Sequence, residues 1–216
     1  EADVEGHDTC RKIAILTAMA TGHEVDYEDI HTEGITSISD VDFKYAEKMG
    51  TSVKLFGSSR IKAGEIHAWV APVMIGKDHP LYSVSDVFNG ILVKGNMLGT
   101  SMFYGSGAGM LPTASAVIAD IIEAVQNRNR HVEMGWDDSR LAIAPTQTSS
   151  SRFFIRIKGI AEERLAEVLK VFGDVTVIEL DHMDEFAVVT DVMTEAEYEK
   201  KAKELSGIRQ RIRAEV

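Results

Sequence analysis

Cysteine and long apolar runs are scarce in this sequence of 216 residues, and each scarcity excludes a class of protein. The single cysteine, Cys10, cannot form an internal disulfide, which is typical of a reducing compartment. Apolar stretches such as 13–20 and 66–75 are too short to cross a bilayer, so no transmembrane helix is expected. The opening Glu-Ala-Asp-Val-Glu does not resemble a signal peptide. We therefore expect a cytoplasmic protein.

Positive charge is also in short supply. The chain has 23 Lys and Arg against 34 Asp and Glu, a formal net charge of -11. This is the wrong sign for a surface that neutralises nucleic-acid phosphates or anionic lipid, so those partners are not expected. A hydrophobic content of 44% and a charged content of 26% are ordinary for a globular protein with one large domain or two smaller ones.

Residues that hold metals or act as nucleophiles form no recognisable cluster. None of the seven histidines is spaced i,i+4 from another, and one cysteine cannot complete a zinc site, so metal catalysis is disfavoured. Cys10 lies in an apolar helix, which favours a small core residue over a nucleophile. The sequence also predicts a core position for several large apolar side chains: Met97, Met102 and Phe103.

Hydrophobic periodicity and turn residues divide the chain into predicted elements. The first part reads as a helix at 8–22 buried on more than one side, a helix at 41–49 capped by Ser39-Asp40, four strands of one sheet at 52–58, 66–75, 90–94 and 99–104, and a helix at 112–127. The polar stretch APTQTSSS at 144–151 marks a boundary, with a linker at 146–151 between residues 1–145 and 152–216. The second part predicts a βαββαβ unit whose second helix opens with a Thr194–Glu197 capping box.

Two local patterns carry chemistry. Asp8 and Lys12 are spaced i,i+4 at the start of the first helix, where a lysine held by a carboxylate can donate a proton to a carbonyl oxygen that gains negative charge. Acids nearby, such as Asp3, can hold a substrate amine, although the pair is also typical of a surface ion pair. The GSGAG turn at 105–109 allows close approach of the backbone to a ligand, although a tight strand-to-helix turn requires glycine for geometry alone.

Several separated segments resemble homoserine dehydrogenase. They are ADVEGHDTCRKIAILTAMATG at 2–22, EDIHTEGI at 28–35, HPLYSV at 79–84 and YGSGAGMLPTASAV at 104–117, and they match in order and spacing over about residues 1 to 127. Residues 152–216 resemble an ACT domain, a small amino-acid-sensing module. The resemblance implies an α+β catalytic and dimerisation domain with a mixed sheet, followed by a ferredoxin-like βαββαβ ACT domain.

The resemblance also implies an activity and residue roles. The enzyme would reduce L-aspartate 4-semialdehyde to L-homoserine with NADPH or NADH, on the route to threonine, methionine and isoleucine. Lys12 would protonate the developing alkoxide, Asp8 would orient the substrate and the lysine, and Asp3 would join them in the substrate pocket. The cofactor would lie against the glycine turn, at Gly105, Ser106, Gly107 and Gly109.

Two departures from the family pattern, and one feature of the pattern itself, add further expectations. The chain contains no strand-GxGxxG-helix segment, so we expect the nucleotide-binding domain to be missing, the fragment alone to be inactive and the helix at 112–127 to lose its usual packing partner. Amino-acid-binding ACT domains usually carry Asp-x-x-Gly after the first strand, whereas residues 160–163 here read Ile-Ala-Glu-Glu, a departure that counts against binding of an effector such as threonine. The family pattern favours a homodimer or a higher homo-oligomer.

Two alternatives remain open at the level of sequence. In one, residues 152–216 sense an amino acid and residues 1–145 only dimerise, without catalysis. In the other, the chain belongs to a different NAD-dependent enzyme that shares the C-terminal sheet.

Overall fold

An eight-stranded mixed sheet dominates the computed structural model, which describes residues 2–62, 64–132 and 135–216. The chain divides into two units by its internal contacts. The first comprises residues 1–76 and 135–216, and the second residues 77–134. The sheet belongs to the first unit, so an α+β class with a mixed sheet is confirmed.

The sheet runs in the order β2-β4-β12-β8-β10-β9, with β3 paired to β4 and the short β11 paired to β8. Strand β4 pairs in parallel with β2 and β12, whereas β3 and the C-terminal pairs are antiparallel. The short strands β1 and β7 pair in parallel beside it. The strands of this unit are β1 (His23–Glu24), β2 (His31–Thr32), β3 (Thr51–Lys62), β4 (Glu65–Gly76), β7 (Asp137–Arg140), β8 (Ser150–Lys158), β9 (Val175–Glu179), β10 (Glu185–Thr190), β11 (Met193–Thr194) and β12 (Ile208–Glu215).

Helix α1 (His7–Thr21) lies between Gly6 and Gly22, whose φ angles of 80° and 75° are left-handed and suit glycine. Its buried residues, Cys10, Ala14, Thr17 and Ala18, are small and lie on one face. The side chains of Ile15 and Met19 are more than half exposed, so the prediction of burial on more than one side is wrong. Small residues allow the helix to lie close to the sheet on that one face.

Helices cover both faces of the C-terminal part of the sheet. The predicted βαββαβ order is observed, with α4 (Ala161–Phe172) and α5 (Glu195–Ala202) between the strands and the predicted Thr194 capping box in place. Phe153 packs in the core beneath α4 and α5, whereas the next residue, Phe154, packs on the opposite face with Tyr45 of α2 (Asp40–Met49).

Residues on both sides of the predicted 146–151 linker therefore share one sheet and one core. Strand β12 extends the sheet of the N-terminal part by pairing with β4, and α2 fills the face that α4 and α5 leave open. The linker itself contains a short 3-10 turn, Thr146–Thr148, and the first residues of β8. The division into two domains, residues 1–145 and 152–216, therefore stays a prediction.

The second unit contains a hairpin and one helix: β5 (Phe88–Gly95), β6 (Gly99–Ser106) and α3 (Met110–Gln126). Strands β5 and β6 pair with each other in a separate two-stranded sheet, so the prediction that all four strands share one sheet is wrong. The predicted core positions Met97, Met102 and Phe103 are 92%, 38% and 65% exposed, and no residue of α3 is buried. In the described chain, no helix has the length and apolar character needed to cross a membrane.

Candidate active site

The predicted acid–lysine pair forms at the start of α1. Lys12 Nζ lies 2.7 Å from Asp8 Oδ2, and the two side chains are 60% and 44% exposed. An i,i+4 pair of this exposure stabilises a helix by only about 0.3 to 0.5 kcal/mol. The pair therefore adds little to stability and presents its polar atoms to any molecule that binds at this end of the helix.

A tight backbone arrangement holds the segment that leads into α1. The Ile35 amide donates to the Val4 carbonyl at 2.7 Å, and a Cβ on Gly34 would overlap Val4 and Glu5. Gly6 packs in turn against Thr32, whose Cγ2 lies 3.1 Å from the position of an added Cβ. Residues 32–35 thus pack closely against residues 4–6 and hold their backbone in place.

Asp3 lies exposed in the turn before α1. Its carbonyl accepts a hydrogen bond from the Gly6 amide at 3.3 Å, and the carbonyl of Ala2 accepts one from the Asp8 amide at the same distance. The three acid and lysine candidates, Asp3, Asp8 and Lys12, therefore belong to one short stretch whose backbone is braced by residues 32–35.

Helix α1 is fixed to the sheet by a close contact with β3. A Cβ on Gly57 would lie 3.0 Å from Ile13 Cβ and 3.1 Å from Thr9 Cγ2. Glycine at this position lets the helix lie directly against the strand. Two sets of contacts therefore fix the position of the Asp8–Lys12 pair: those of α1 with β3, and those of the preceding segment with residues 32–35.

The predicted cofactor-binding glycines lie in the second unit, with Gly105 at the end of β6 and Gly107 and Gly109 in the turn that leads to α3. Gly109 is the N-cap of α3 with φ 122°, and a Cβ on Gly107 would overlap the Asn89 side chain. The turn thus favours glycine at 109 for its backbone conformation, whereas a side chain at 107 would have to displace the flexible end of Asn89. Gly105 is different, because nothing lies within 4 Å of the position of an added Cβ.

The open backbone at Gly105 has room for the flat ring of a nicotinamide cofactor. A flat ring can approach a backbone that carries no side chain, and Ser106 is itself exposed. In the described residues no group of three or more His, Cys, Asp and Glu side chains could hold a metal ion. Cys10 is buried as predicted, and its Sγ donates to the Tyr27 carbonyl at 3.3 Å.

Sequence reasoning missed an ionic cluster beside this site. Arg213 of β12 donates to both carboxylate oxygens of Glu33 at 2.8 and 3.0 Å, and its Nε lies 2.6 Å from Glu195 at the start of α5. Arg211 and His31 also contact the Glu33 carboxylate, at 3.3 and 2.7 Å. The sequence offered one signal, because arginines two apart in a strand lie on the same face.

Electrostatics in this cluster favour the charged forms. Burial by itself raises the pKa of the Glu33 carboxyl, but the hydrogen bonds from His31 and Arg213 and the charge of Arg211 hold that pKa well below its usual range. Burial also lowers the pKa of Arg213, and its bonds to Glu33 and Glu195 outweigh this and raise it. Each charge therefore depends on its partners to stay buried.

The model of the homoserine dehydrogenase family matches residues 1–122, which include the acid–lysine pair, the Glu33 segment and the glycine turn. The chain belongs to the homoserine dehydrogenase family. Homoserine dehydrogenase of a Synechocystis strain is 49% identical over 128 residues, covering 57% of this chain and 30% of that protein. The Mycobacterium leprae enzyme is 40% identical over 162 residues, covering 71% of this chain and 36% of that protein.

Solved homoserine dehydrogenase structures match nearly the whole chain. The Thiobacillus denitrificans enzyme superposes with a TM-score of 0.87 at 28% identity, over 99% of this chain and 54% of that chain. The Staphylococcus aureus enzyme at pH 7.0 gives a TM-score of 0.77 at 28% identity, over 100% of this chain and 55% of that chain. The C-terminal part that the family model leaves out is thus also similar to homoserine dehydrogenase.

The chain spans about a third of the length of the curated homoserine dehydrogenases it matches and about half of the solved ones. The matches do not favour a purely regulatory module, because the matched segment is the one that carries Asp8, Lys12 and the glycine turn.

Proposed function

We propose that the protein containing this chain reduces L-aspartate 4-semialdehyde to L-homoserine, on the route to threonine, methionine and isoleucine. The Asp8–Lys12 ion pair carries the proposal, because it lies exposed at the start of α1 within the segment that matches the family. An aldehyde that accepts hydride at carbon develops negative charge on oxygen. A fixed ammonium group stabilises that charge most strongly near the transition state, which is where stabilisation accelerates a reaction.

Lys12 donates the proton in this proposal. Its ammonium group supplies a proton to the oxygen as the carbonyl electron pair moves there, and the lysine is left neutral until water restores it. Asp8, whose Oδ2 lies 2.7 Å from Lys12 Nζ, holds the lysine in place. Asp3, exposed in the turn before α1, takes part in holding the substrate amino group.

NADPH or NADH supplies the hydride when it is bound. Gly105, with open space around it, and the exposed Ser106 would contact the nicotinamide end, together with Gly107 and Gly109 of the same turn. The chain has no GxGxxG segment and a net charge of -11, so other residues of the full-length protein hold the phosphates.

The C-terminal part and the assembly complete the proposal. Residues 152–216 form an ACT regulatory domain, supported by the strand order β12-β8-β10-β9 with two helices on one face, and its effector would be an amino acid such as threonine. The protein is a homodimer or a higher homo-oligomer. The exposed hairpin residues Ile91, Val93 and Phe103, which share one face of β5 and β6, support such an interface.

The substitution Lys12→Ala in the full-length protein tests the catalytic role. The role of a proton donor predicts a fall in kcat of about 100-fold or more with a much smaller change in KM for the cofactor. Lys44→Ala removes an exposed lysine of α2 and serves as the matched control, which should retain the parent kcat. A Lys12→Ala enzyme with parental kcat would exclude Lys12 as the donor.

The oligomer and the effector have separate tests. Light scattering on the full-length protein and on its Phe103→Glu variant should give a dimer or larger species for the first and a smaller species for the second. Calorimetry on the full-length protein should detect heat on titration with threonine. A monomeric parent, or no heat on titration with threonine, would contradict the respective part of the proposal.

A further inference from the structure

The carboxylate of Glu33 connects strand β12 to the segment that holds the candidate active site. Arg213 of β12 is 3% exposed in its side chain and binds Glu33 through two nitrogens, while its Nε binds Glu195 at the start of α5. Glu33 lies directly after β2, and its amide donates to the Val70 carbonyl of β4 at 2.8 Å. Arg213 therefore connects an element of the C-terminal part to a residue of the N-terminal part.

The residues next to Glu33 support the segment that carries the site. Gly34 lies so close to Val4 and Glu5 that no side chain would fit, and the Ile35 amide donates to the Val4 carbonyl at 2.7 Å. The Glu33 carbonyl itself lies 3.4 Å from the position of a Cβ on Gly6. A shift of Glu33 would thus displace the backbone that leads to Asp8.

We propose that Glu33 and Arg213 are positioning residues: the ion pair fixes residues 32–35, which in turn fix the turn with Asp3 and the start of α1 with Asp8 and Lys12. This inference rests on the proposed function. It gives the C-terminal part a direct mechanical connection to the substrate site, since β12 and α5 both hold Arg213.

A second property of the cluster makes it suited to this role. Arg211 lies over the rings of Phe153 and Tyr198 at 5.8 and 5.6 Å and contacts both Glu33 and Glu195. The two arginines and two carboxylates are thus held by neighbours on several sides. Removing one partner leaves a buried charge unpaired, so the cluster has a strong preference for its present geometry.

The test uses the full-length protein with three variants. Glu33→Gln keeps the shape of the side chain and removes its charge, and Arg213→Met removes the other partner. Arg164→Met is the matched control, because Arg164 is 18% exposed and binds Glu167 and the carbonyls of Lys158 and Ser206, all within residues 152–216. Each variant loses several hydrogen bonds, but only the first two lose the connection to residues 32–35.

Steady-state kinetics with homoserine separates positioning from general destabilisation. Glu33→Gln and Arg213→Met should raise KM for homoserine by about tenfold and leave KM for the cofactor within about twofold, because the pair fixes the substrate residues. Arg164→Met should keep both constants. The double variant Glu33→Gln/Arg213→Met should have the KM of either single variant, because the two residues act in one chain of contacts. Equal effects in Arg164→Met, or additive effects in the double variant, would overturn the proposal.

Amide hydrogen exchange gives a readout that does not depend on the reaction. The amides of Gly6, Asp8 and Ile35 should exchange about tenfold faster in Glu33→Gln and Arg213→Met than in the parent, and at the parent rate in Arg164→Met. A parent without homoserine dehydrogenase activity would refute the proposed function alone, and the exchange rates would still decide the positioning role. Unchanged exchange at these three amides in Glu33→Gln would refute it.

Discussion

Phe154 lies in the core that the N-terminal and C-terminal parts of the first unit share, so its removal should destabilise both parts at once. The side chain is 0% exposed, and its ring centroid lies 5.6 Å from that of Tyr45 in α2. Phe→Ala changes in cores cost about 3 to 5 kcal/mol, and the aromatic pair accounts for about 0.5 to 1.5 kcal/mol of this. We expect Phe154→Ala to lower the free energy of unfolding of the whole unit by about 4 kcal/mol.

Two local probes measure whether the parts unfold together. The chain has 2 tryptophans, Trp136 and Trp69, and Trp69 lies in β4. In a Trp136→Phe background the fluorescence of the chain therefore comes from Trp69. Its fluorescence in urea follows the N-terminal part, and amide exchange in β10 follows the C-terminal part. With an m value of about 2 to 3 kcal/mol/M, both midpoints should fall by about 1 to 2 M.

Independent folding of residues 152–216 would give a different result. In that case Phe154→Ala would lower the midpoint of β10 and leave the fluorescence midpoint of Trp69 at its parent value, which would refute the shared core. Phe43→Ala in α2 is the control, because this side chain is 53% exposed and its removal should change stability by less than about 0.5 kcal/mol.

Two further predictions concern the surroundings of the site. Gly57→Ala should cost about 1 to 3 kcal/mol in thermal unfolding, because the new Cβ would lie 3.0 Å from Ile13, whereas Gly105→Ala, with open space around it, should cost less than about 0.5 kcal/mol. Glu33 has a lowered pKa in the folded state, so it stabilises the protein above the pKa of an unfolded glutamate, about 4.3, and this stabilisation is lost as the pH falls below that value. Urea midpoints should therefore differ most between parent and Glu33→Gln at pH 7 and converge toward pH 3; a difference that grows on acidification would contradict this sign.

Local sequence signals predicted the elements whose formation depends on nearby residues. Gly22 ends α1 in a left-handed conformation, and the Thr194–Glu197 capping box starts α5 at the predicted residue. Ser39 is the N-cap of α2, and its backbone amide donates to the carboxylate of Asp42 at 2.8 Å. These signals act over three or four residues, so the sequence shows them directly.

Burial was harder to predict than secondary structure. Phe103 is large and apolar and was expected in a core, but its face of the β5–β6 hairpin is exposed in the second unit. Periodicity shows which residues of a strand share a face, and it does not show what covers that face. Conversely, Arg213 reads as a surface residue, yet it is buried because Glu33 and Glu195 compensate its charge.

By itself the sequence determined the helices, most strands, the spacing of Asp8 and Lys12 and the membership in a family of dehydrogenases, because each depends on short-range chemistry or on a long motif. Only the tertiary structure decided that β12 pairs with β4 and that Arg213 meets Glu33 beside the candidate site. Such contacts join residues far apart in the chain and depend on packing and on charge compensation in the interior. No local pattern contains that information.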